Sequence, residues 1–255
     1  MQLIDSHCHL DYPPLSDEAD ALIARCEAQG ISRIVVPATT AARWPALVDF
    51  VRPRPSLALA LGLHPIYLDE HTSAHVDSLA DWVMRESACA IGEIGLDYFV
   101  ETLDRERQQG VFEAQLTVAE QTSLPVILHV RRSHDATIAT LKKRKFRQGG
   151  IVHAFAGSAE QAREFIKLGF KLGFGGVMTY ESATRVRKLA ATLPLESIVL
   201  ETDAPDMKPV DWPDEHNSPL ALMGNFRALC SLRSESPEQI AAVTTANSMA
   251  ALRLC

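Results

Sequence analysis

Short apolar runs recur along the chain, separated by longer stretches in which apolar residues return every three or four positions. The runs predict strands at 3–5, 33–38, 57–62, 89–95, 126–130, 151–154, 170–174 and 198–202. Several are apolar at consecutive positions, as strands covered on both faces of a parallel sheet must be. The stretches between them predict helices. Ser16, followed by Asp17 and Glu18, is placed to cap a helix that ends at Gly30, with Ala19, Leu22, Ile23 and Cys26 on one face. Ser158 and Gln161 have the spacing of a capping box, with Gly169 at that helix's stop. Val186, Leu189, Ala190 and Leu193 form another stripe, ended by Pro194, and the chain reads as helical again from Pro219.

Eight strand–helix alternations in 255 residues predict an α/β fold, a (β/α)₈ TIM barrel, regular or somewhat distorted, formed by residues 1–255 as one hydrolase domain. No internal repeat or low-complexity linker divides the chain. Apolar residues make up 47%, enough for a large core. No apolar run is long enough for a membrane helix, and the start MQLIDSHCHL lacks the pattern of a signal peptide, so the expected location is cytoplasmic. Five cysteines without a CxxC pair predict reduced thiols. A net charge of −7 argues against holding nucleic acid by bulk electrostatics, so any such contact must be local or depend on bound metal.

The polar residues that interrupt the strand ends carry the chemistry. His7 and His9 follow the first strand, two residues apart and so able to reach one ion, whereas Cys8 between them faces away as a small hydrophobe. His64 follows the third strand. Glu93 lies in the fourth, His129 and His153 end the fifth and sixth, and Asp203 follows the eighth. In a barrel of this kind the C-terminal strand ends converge on the active site, and so many imidazoles and carboxylates are costly to bury without a cation. Imidazole with carboxylate suits Zn²⁺ or Mn²⁺, and Mg²⁺ less well. Six ligands exceed what one catalytic zinc takes, so His7, His9, Glu93, His129, His153 and Asp203 predict two divalent ions sharing a carboxylate. His71, His75, His134 and His216 read as solvated.

With these positions in view, the sequence resembles the TatD family of metal-dependent deoxyribonucleases. The matching pieces are DSHCHLD at 5–11, GLHP at 62–65, GEIGLDY at 92–98, PVILHVR at 125–131, VHAF at 152–155 and ETDAP at 201–205. The resemblance implies a (β/α)₈ barrel and an exonuclease-like hydrolase of DNA phosphodiesters. It implies His7, His9 and Asp203 around the first ion, Glu93 between the two, His129 and His153 on the second, and His64 and Arg131 near the substrate phosphate. Members often carry an Arg-Asn-x-Pro element after the aspartate motif; here His216 precedes Asn217-Ser218-Pro219, and the loop at 206–208 also differs. The expected chemistry is attack of an acidified water on phosphorus, with Asp203 as ligand and proton acceptor. No obligate protein partner is predicted.

Two rivals share the fold. An amidohydrolase-type enzyme opening an amide or lactone often bridges its metals with a carboxylated lysine, but no lysine precedes Lys142, which favours a Glu93 bridge. A non-catalytic metal or nucleic-acid-binding protein has no use for an open coordination position. The basic run Lys142-Lys143-Arg144-Lys145 with Arg147 reads as a solvated helix end. Tyr98 and Phe99, just past Glu93, are placed either to stack on a base or to pack a loop.

Overall fold

A computed structural model describes residues 1–254. Cys255 lies outside the described residues. The eight expected strands all form: β1 Leu3–Asp5, β2 Ile31–Pro37, β3 Leu57–Leu61, β4 Ala90–Asp97, β5 Val126–Arg131, β6 Gly150–Val152, β7 Phe170–Phe174 and β8 Ile198–Leu200. Each pairs in parallel with the next, in the order β1 to β8. The ladder does not continue from β8 to β1. The seam is instead joined by Ser6 N–H donating to Leu200 O at 3.0 Å and Asp203 N–H donating to His7 O at 2.9 Å. The result is a nearly closed (β/α)₈ barrel.

Helices α1 Ala19–Ala28, α2 Trp44–Val51, α3 Ser73–Arg85, α4 Arg105–Thr122, α5 His134–Arg144, α6 Ala159–Lys167 and α7 Thr184–Thr192 lie between the strands. Helices α8 Leu222–Leu232 and α9 Pro237–Leu252 follow β8. The capping box of Ser158 and Gln161 forms at α6, and Gly169 has the positive φ of +88° that its stop requires. Ser16 does not cap α1. It lies inside a 3₁₀ turn, Leu15–Glu18, whose tighter winding starts the helix three residues later. The thiols of Cys8 and Cys26 are buried, and Cys89 and Cys230 are half-buried; all four are free. Among the described residues, no helix is long and apolar enough to cross a membrane.

Two apolar layers explain why the strands read as continuous runs. The outer layer packs sheet against helices. The inner one is built from Ile4, Val35, Ala58, Ala60, Ala90, Ile127, Ile151 and Val199, and Leu252 and Leu254 at the end of α9 and beyond pack against it. Successive strand residues face opposite ways. The residue two beyond Ile127 is therefore His129, the one beyond Ile151 is His153, and the one beyond Val199 is Glu201. The inner apolar layer thus turns polar at one level, near the C-terminal strand ends. The basic run sits at the opposite end, in the last turn of α5, where Lys142 pairs with Glu164 and Arg144 with Glu120.

Buried Asn247 fastens α9 to the start of β8 by donating from Nδ2 to Leu195 O at 2.9 Å and Ile198 O at 2.8 Å. Asn247→Ala leaves both carbonyls without that donor. The expected cost is about 1–3 kcal/mol, read as a lower denaturation midpoint with an unchanged slope. An unaltered midpoint would show that the two bonds contribute nothing net.

Candidate metal centre

Glu93 lies within β4 and is 1% exposed. Its two oxygens face different partners. Oε2 is 3.2 Å from His7 Nε2 and 3.6 Å from His9 Nε2. Oε1 is 3.0 Å from His129 Nδ1, 3.1 Å from His153 Nε2 and 3.2 Å from His64 Nε2. Asp203 Oδ1 joins the first group, 3.4 Å from His7 Nε2 and 3.9 Å from His9 Nε2. His153 stands between the groups, its ring stacked on that of His7 at 3.9 Å. All six residues expected as ligands therefore meet at one place, with His64 beside them. Cys8 points away, its Sγ 3.8 Å from Ala204 O.

The donor set fits divalent cations. A tetrahedral ion with bonds of about 2.0–2.1 Å spaces its ligand atoms roughly 3.3–3.4 Å apart. The His7 and His9 Nε2 atoms are 3.3 Å apart, and the neighbouring separations to Glu93 and Asp203 are close to that value. In three triads, His7–His9–Glu93, His7–His153–Asp203 and His64–Glu93–His129, the facing side-chain atoms lie within 4.8 Å of one another; hydrogen bonding counts against His64 as a ligand in the third.

Hydrogen bonding separates His64 from the others. Its Nδ1 accepts the Ile66 N–H at 3.1 Å. A neutral ring with Nδ1 so engaged carries its proton on Nε2, which then donates and has no lone pair for a metal. Burial pushes the His64 imidazole down to about 4, so the ring is neutral at ordinary pH. His129 has the opposite arrangement. Its Nε2–H donates to Asp97 Oδ2 at 2.9 Å and its Nδ1 faces Glu93 Oε1 at 3.0 Å; burial opposes charge on the ring, but Asp97 and Glu93 raise its pKa, so an ion would take its Nδ1 lone pair by displacing a proton. His64 and His129 thus differ in which ring nitrogen the surrounding protein engages and how.

Electrostatics follow burial and proximity. Burial opposes ionisation of Glu93, but the surrounding imidazoles hold its carboxyl well below the usual range. Burial likewise opposes charge on His153, yet Glu93, Asp203 and Glu201 push it up to about 10. Burial raises Asp203, with His153 and His9 pulling the other way. The sum is a compact, mutually dependent set of largely buried charges.

Several supporting residues lie outside the sequence-derived set. Asp97 is fully buried, and its Oδ1 accepts the Phe99 and Val100 N–H groups at 2.8 and 3.1 Å. Buried Gln108 brackets the Asp97 backbone, and buried Gln115 brackets that of Leu63, each donating and accepting once. Both glutamines lie on one face of α4, so a single helix positions the turns that carry Asp97 and His64. Glu201 is buried behind His153; burial raises its carboxyl to about 8, and its Oε1 accepts the Ala154 N–H. Its carboxylate fills the space where a side chain at Gly173 would stand. Asp5 accepts from Thr202 N–H at 2.9 Å across the β1–β8 seam. The signal for the glutamines was two polar residues seven apart on the face shared by Phe112, Leu116 and Ala119.

Among the other histidines, His71 is not solvated: it is 3% exposed, and its Nε2–H donates to His64 O at 2.8 Å, closing the turn after β3. His134 is half-buried against Phe155. His75 closes the capping box of α3, and His216 is exposed. Asn217 spans Thr202 O and Asp206 O, holding the loop after Asp203 without help from His216's side chain.

A cavity of about 920 Å³ opens over this cluster. Arg131 lies on its rim, exposed, with its guanidinium 3.7 Å above the Phe99 ring. Phe99 is itself exposed to the cavity, whereas Tyr98 packs against the core under Arg105.

Residues 4–253 match the family described as TatD related DNase. The chain is 41% identical to an uncharacterized metal-dependent hydrolase, YjjV, of Escherichia coli strain K12, over 94% of this chain and 93% of that protein. It is 36% identical to an uncharacterized metal-dependent hydrolase of Haemophilus influenzae, over 97% and 98% of the two. The crystal structure of the E. coli TatD homologue YjjV superposes with a TM-score of 0.95 at 39% identity, covering 99% of this chain and 98% of that one.

The Asp97–His129 bond generates a prediction. In Asp97→Asn, the amide nitrogen facing His129 would need an acceptor, which moves the imidazole proton from Nε2 to Nδ1. The expected result is one normal divalent-ion affinity and a second weakened about 10–100-fold, measured by equilibrium dialysis. Two unchanged affinities would show that Asp97 does not set the ring. Glu93→Ala, by contrast, is expected to lower occupancy of both ions; retention of two per chain would refute its bridging role.

Proposed function

The chain belongs to the family of TatD related DNases, and from that premise we propose that this metal-dependent hydrolase cleaves DNA phosphodiesters, in the manner of an exonuclease. Two divalent ions, Zn²⁺, Mn²⁺ or Mg²⁺, would be held by His7, His9 and Asp203 on one side and His129 and His153 on the other, with Glu93 shared. The observation that carries this reading is the division of the Glu93 carboxylate, one oxygen toward each half of the donor set. When bound, such ions lower the pKa of water and withdraw charge from phosphoryl oxygens.

The chain's own groups supply the rest. Asp203 is the carboxylate at the cavity floor with partial exposure. It is the site carboxylate left partly open to the cavity, so it is the group assigned to accept a proton there. It takes the proton of the attacking water as the new O–P bond forms and the bond to the leaving oxygen breaks. His64, with its proton on Nε2, donates to a phosphoryl oxygen, and Arg131 meets the charge from the rim. His71 and Gln115 hold the turn that aims His64. Glu93 rather than a lysine stands between the two halves of the site. Amide or lactone hydrolysis uses similar machinery; the exposed Arg131 favours an anionic substrate instead.

The test is digestion of end-labelled single-stranded and duplex oligonucleotides by metal-free protein and after adding back each ion. Cleavage should vanish on chelation and return to differing extents; full activity of thoroughly metal-free protein would sink the proposal. Asp203→Asn at saturating metal should lower turnover at least about 10²–10⁴-fold, the usual worth of general-base catalysis. Binding should fall less. Near-normal turnover would mean that another group takes the proton.

A further inference from the structure

The cavity has two unlike rims. On the side of β1–β3 it is lined by Tyr12, Ile66 and Tyr67. The arginine there, Arg43, is neutralised by Asp11 at 2.7 Å and lies over the Tyr12 ring. On the side of β5–β7 the lining includes Arg131, Arg132 and Arg185. All three are exposed, and none has a carboxylate within ion-pair distance among the described residues. The nearby Asp135 carboxylate is engaged by Gln161 Nε2 at 2.8 Å. In a chain of net charge −7, three guanidinium groups without an ion pair on one rim, with exposed Asp206 the other charged group lining the cavity beyond the cluster, are a local excess of positive charge.

Two of these groups are held in place without losing charge. Arg131 and Arg132 both lie against the Phe99 ring, their Cζ atoms 3.7 and 4.6 Å from its centroid. An aromatic face attracts a guanidinium but takes none of its N–H donors. The Phe99 backbone is in turn fixed by its N–H bond to Asp97. Pre-placed donors lose less freedom when they bind an anion. Arg131 follows His129 by two residues on β5, which places it roughly 6.6 Å further out on the same side of the strand. Arg132 is the next residue in the chain, and Arg185, in the first turn of α7, lines the same cavity. Their N–H forks suit phosphate oxygens.

The geometry points to a second phosphate subsite, formed by Arg132 and Arg185 with Phe99 as its support, for the phosphate adjacent to the scissile one. This rests on the phosphodiester reading above and specifies its substrate class: a chain carrying at least two phosphates, entering across the β5–β7 rim. The uncharged opposite rim would then face the sugar and base on the other side of the scissile bond.

The test compares the metal-loaded protein on thymidylyl-thymidine, which has one phosphodiester, with the same dinucleotide bearing a terminal phosphate at its 5′ or its 3′ end. The added phosphate is expected to raise kcat/KM roughly ten- to a hundredfold at one of the two ends, as a charge-assisted hydrogen bond would. In the Arg132→Ala, Arg185→Ala double variant this ratio should fall toward one. A second readout is independent of turnover. The salt dependence of binding of a labelled short single strand to metal-free protein should become shallower by about 0.7 in log–log slope for each phosphate that the variant no longer engages. Cleavage of all three dinucleotides at equal efficiency, or a double variant that keeps both ratio and slope, overturns the subsite while leaving the phosphodiesterase reading intact. Cleavage of none of them while oligonucleotides are still digested overturns the subsite alone; digestion of neither, with metal added, overturns both.

Discussion

Everything at the C-terminal end of this barrel is arranged around one buried carboxylate. Glu93 is 1% exposed and ionised, an expensive state unless positive or hydrogen-donating groups surround it. Five imidazoles lie within 3.6 Å of its two oxygens. Those imidazoles come from strands or strand ends spread around the barrel, so closure of the sheet is what brings them together. The cost also runs the other way. Without Glu93 the ring nitrogens that face the centre would have only each other and Asp203. The barrel and the charge cluster therefore constrain each other: neither the strand ends nor the side chains have a second good arrangement nearby.

Much of this was legible in the pattern of the chain, because the inner layer of a barrel has a strict period of two. Ile127 and His129, or Ile151 and His153, are neighbours on one side of a strand, so an imidazole just after an apolar run marks the level at which the core ends. The family resemblance and the strand order rest on the same residues. Less legible were groups that act through backbone. Asp97 reads as part of a motif, but that it sets the tautomer of His129 is visible only once Gly95 pairs with His129 and Asp97 with Arg131 across β4 and β5. Glu201 obeys the same period of two from Val199, yet in the sequence it is overshadowed by Asp203 two residues on. Gln108 and Gln115 were hidden because a glutamine on a helix is ordinarily a surface residue, and only tertiary contact shows that they bond strand ends. His71 departs from expectation for the same reason: a histidine in a loop is usually wet, but this one closes a turn over a backbone carbonyl.

The hydrogen-bonding layer around the site explains how one fold gives chemically identical rings different roles. His64 and His129 stand 3.2 Å apart, at similar depth, and nothing in their surroundings by polarity alone distinguishes them. The distinction comes from what each ring's far nitrogen meets. A backbone N–H at His64 Nδ1 leaves the proton of the neutral ring on its near nitrogen, and a carboxylate at His129 Nε2 keeps that far nitrogen protonated. The choice is therefore made by the Pro65–Glu70 turn and by Asp97, outside the cluster itself. Helix α4 braces both, through Gln115 and Gln108. A single helix thus braces the turns that carry both rings' partners.

The charge cluster at the floor is compatible with hydrolysis of several kinds of bond, since acidified water and a proton acceptor serve esters, amides and phosphodiesters alike. Discrimination must come from groups that contact the parts of the substrate that do not react. Here those groups are unequal on the two sides of the cavity. Arg43 is spent on Asp11, whereas Arg131 and Arg132 keep their donors because their support is an aromatic ring and not a carboxylate. A small neutral lactone or amide would leave those donors to water and gain nothing from their placement. A phosphodiester would engage them at the same time as its reacting centre reaches His64. If the substrate is the phosphodiester proposed above, aromatic support rather than ion pairing is the feature that would tie this general hydrolytic floor to it. It acts through Asp97, which holds Phe99 with one carboxylate oxygen and His129 with the other.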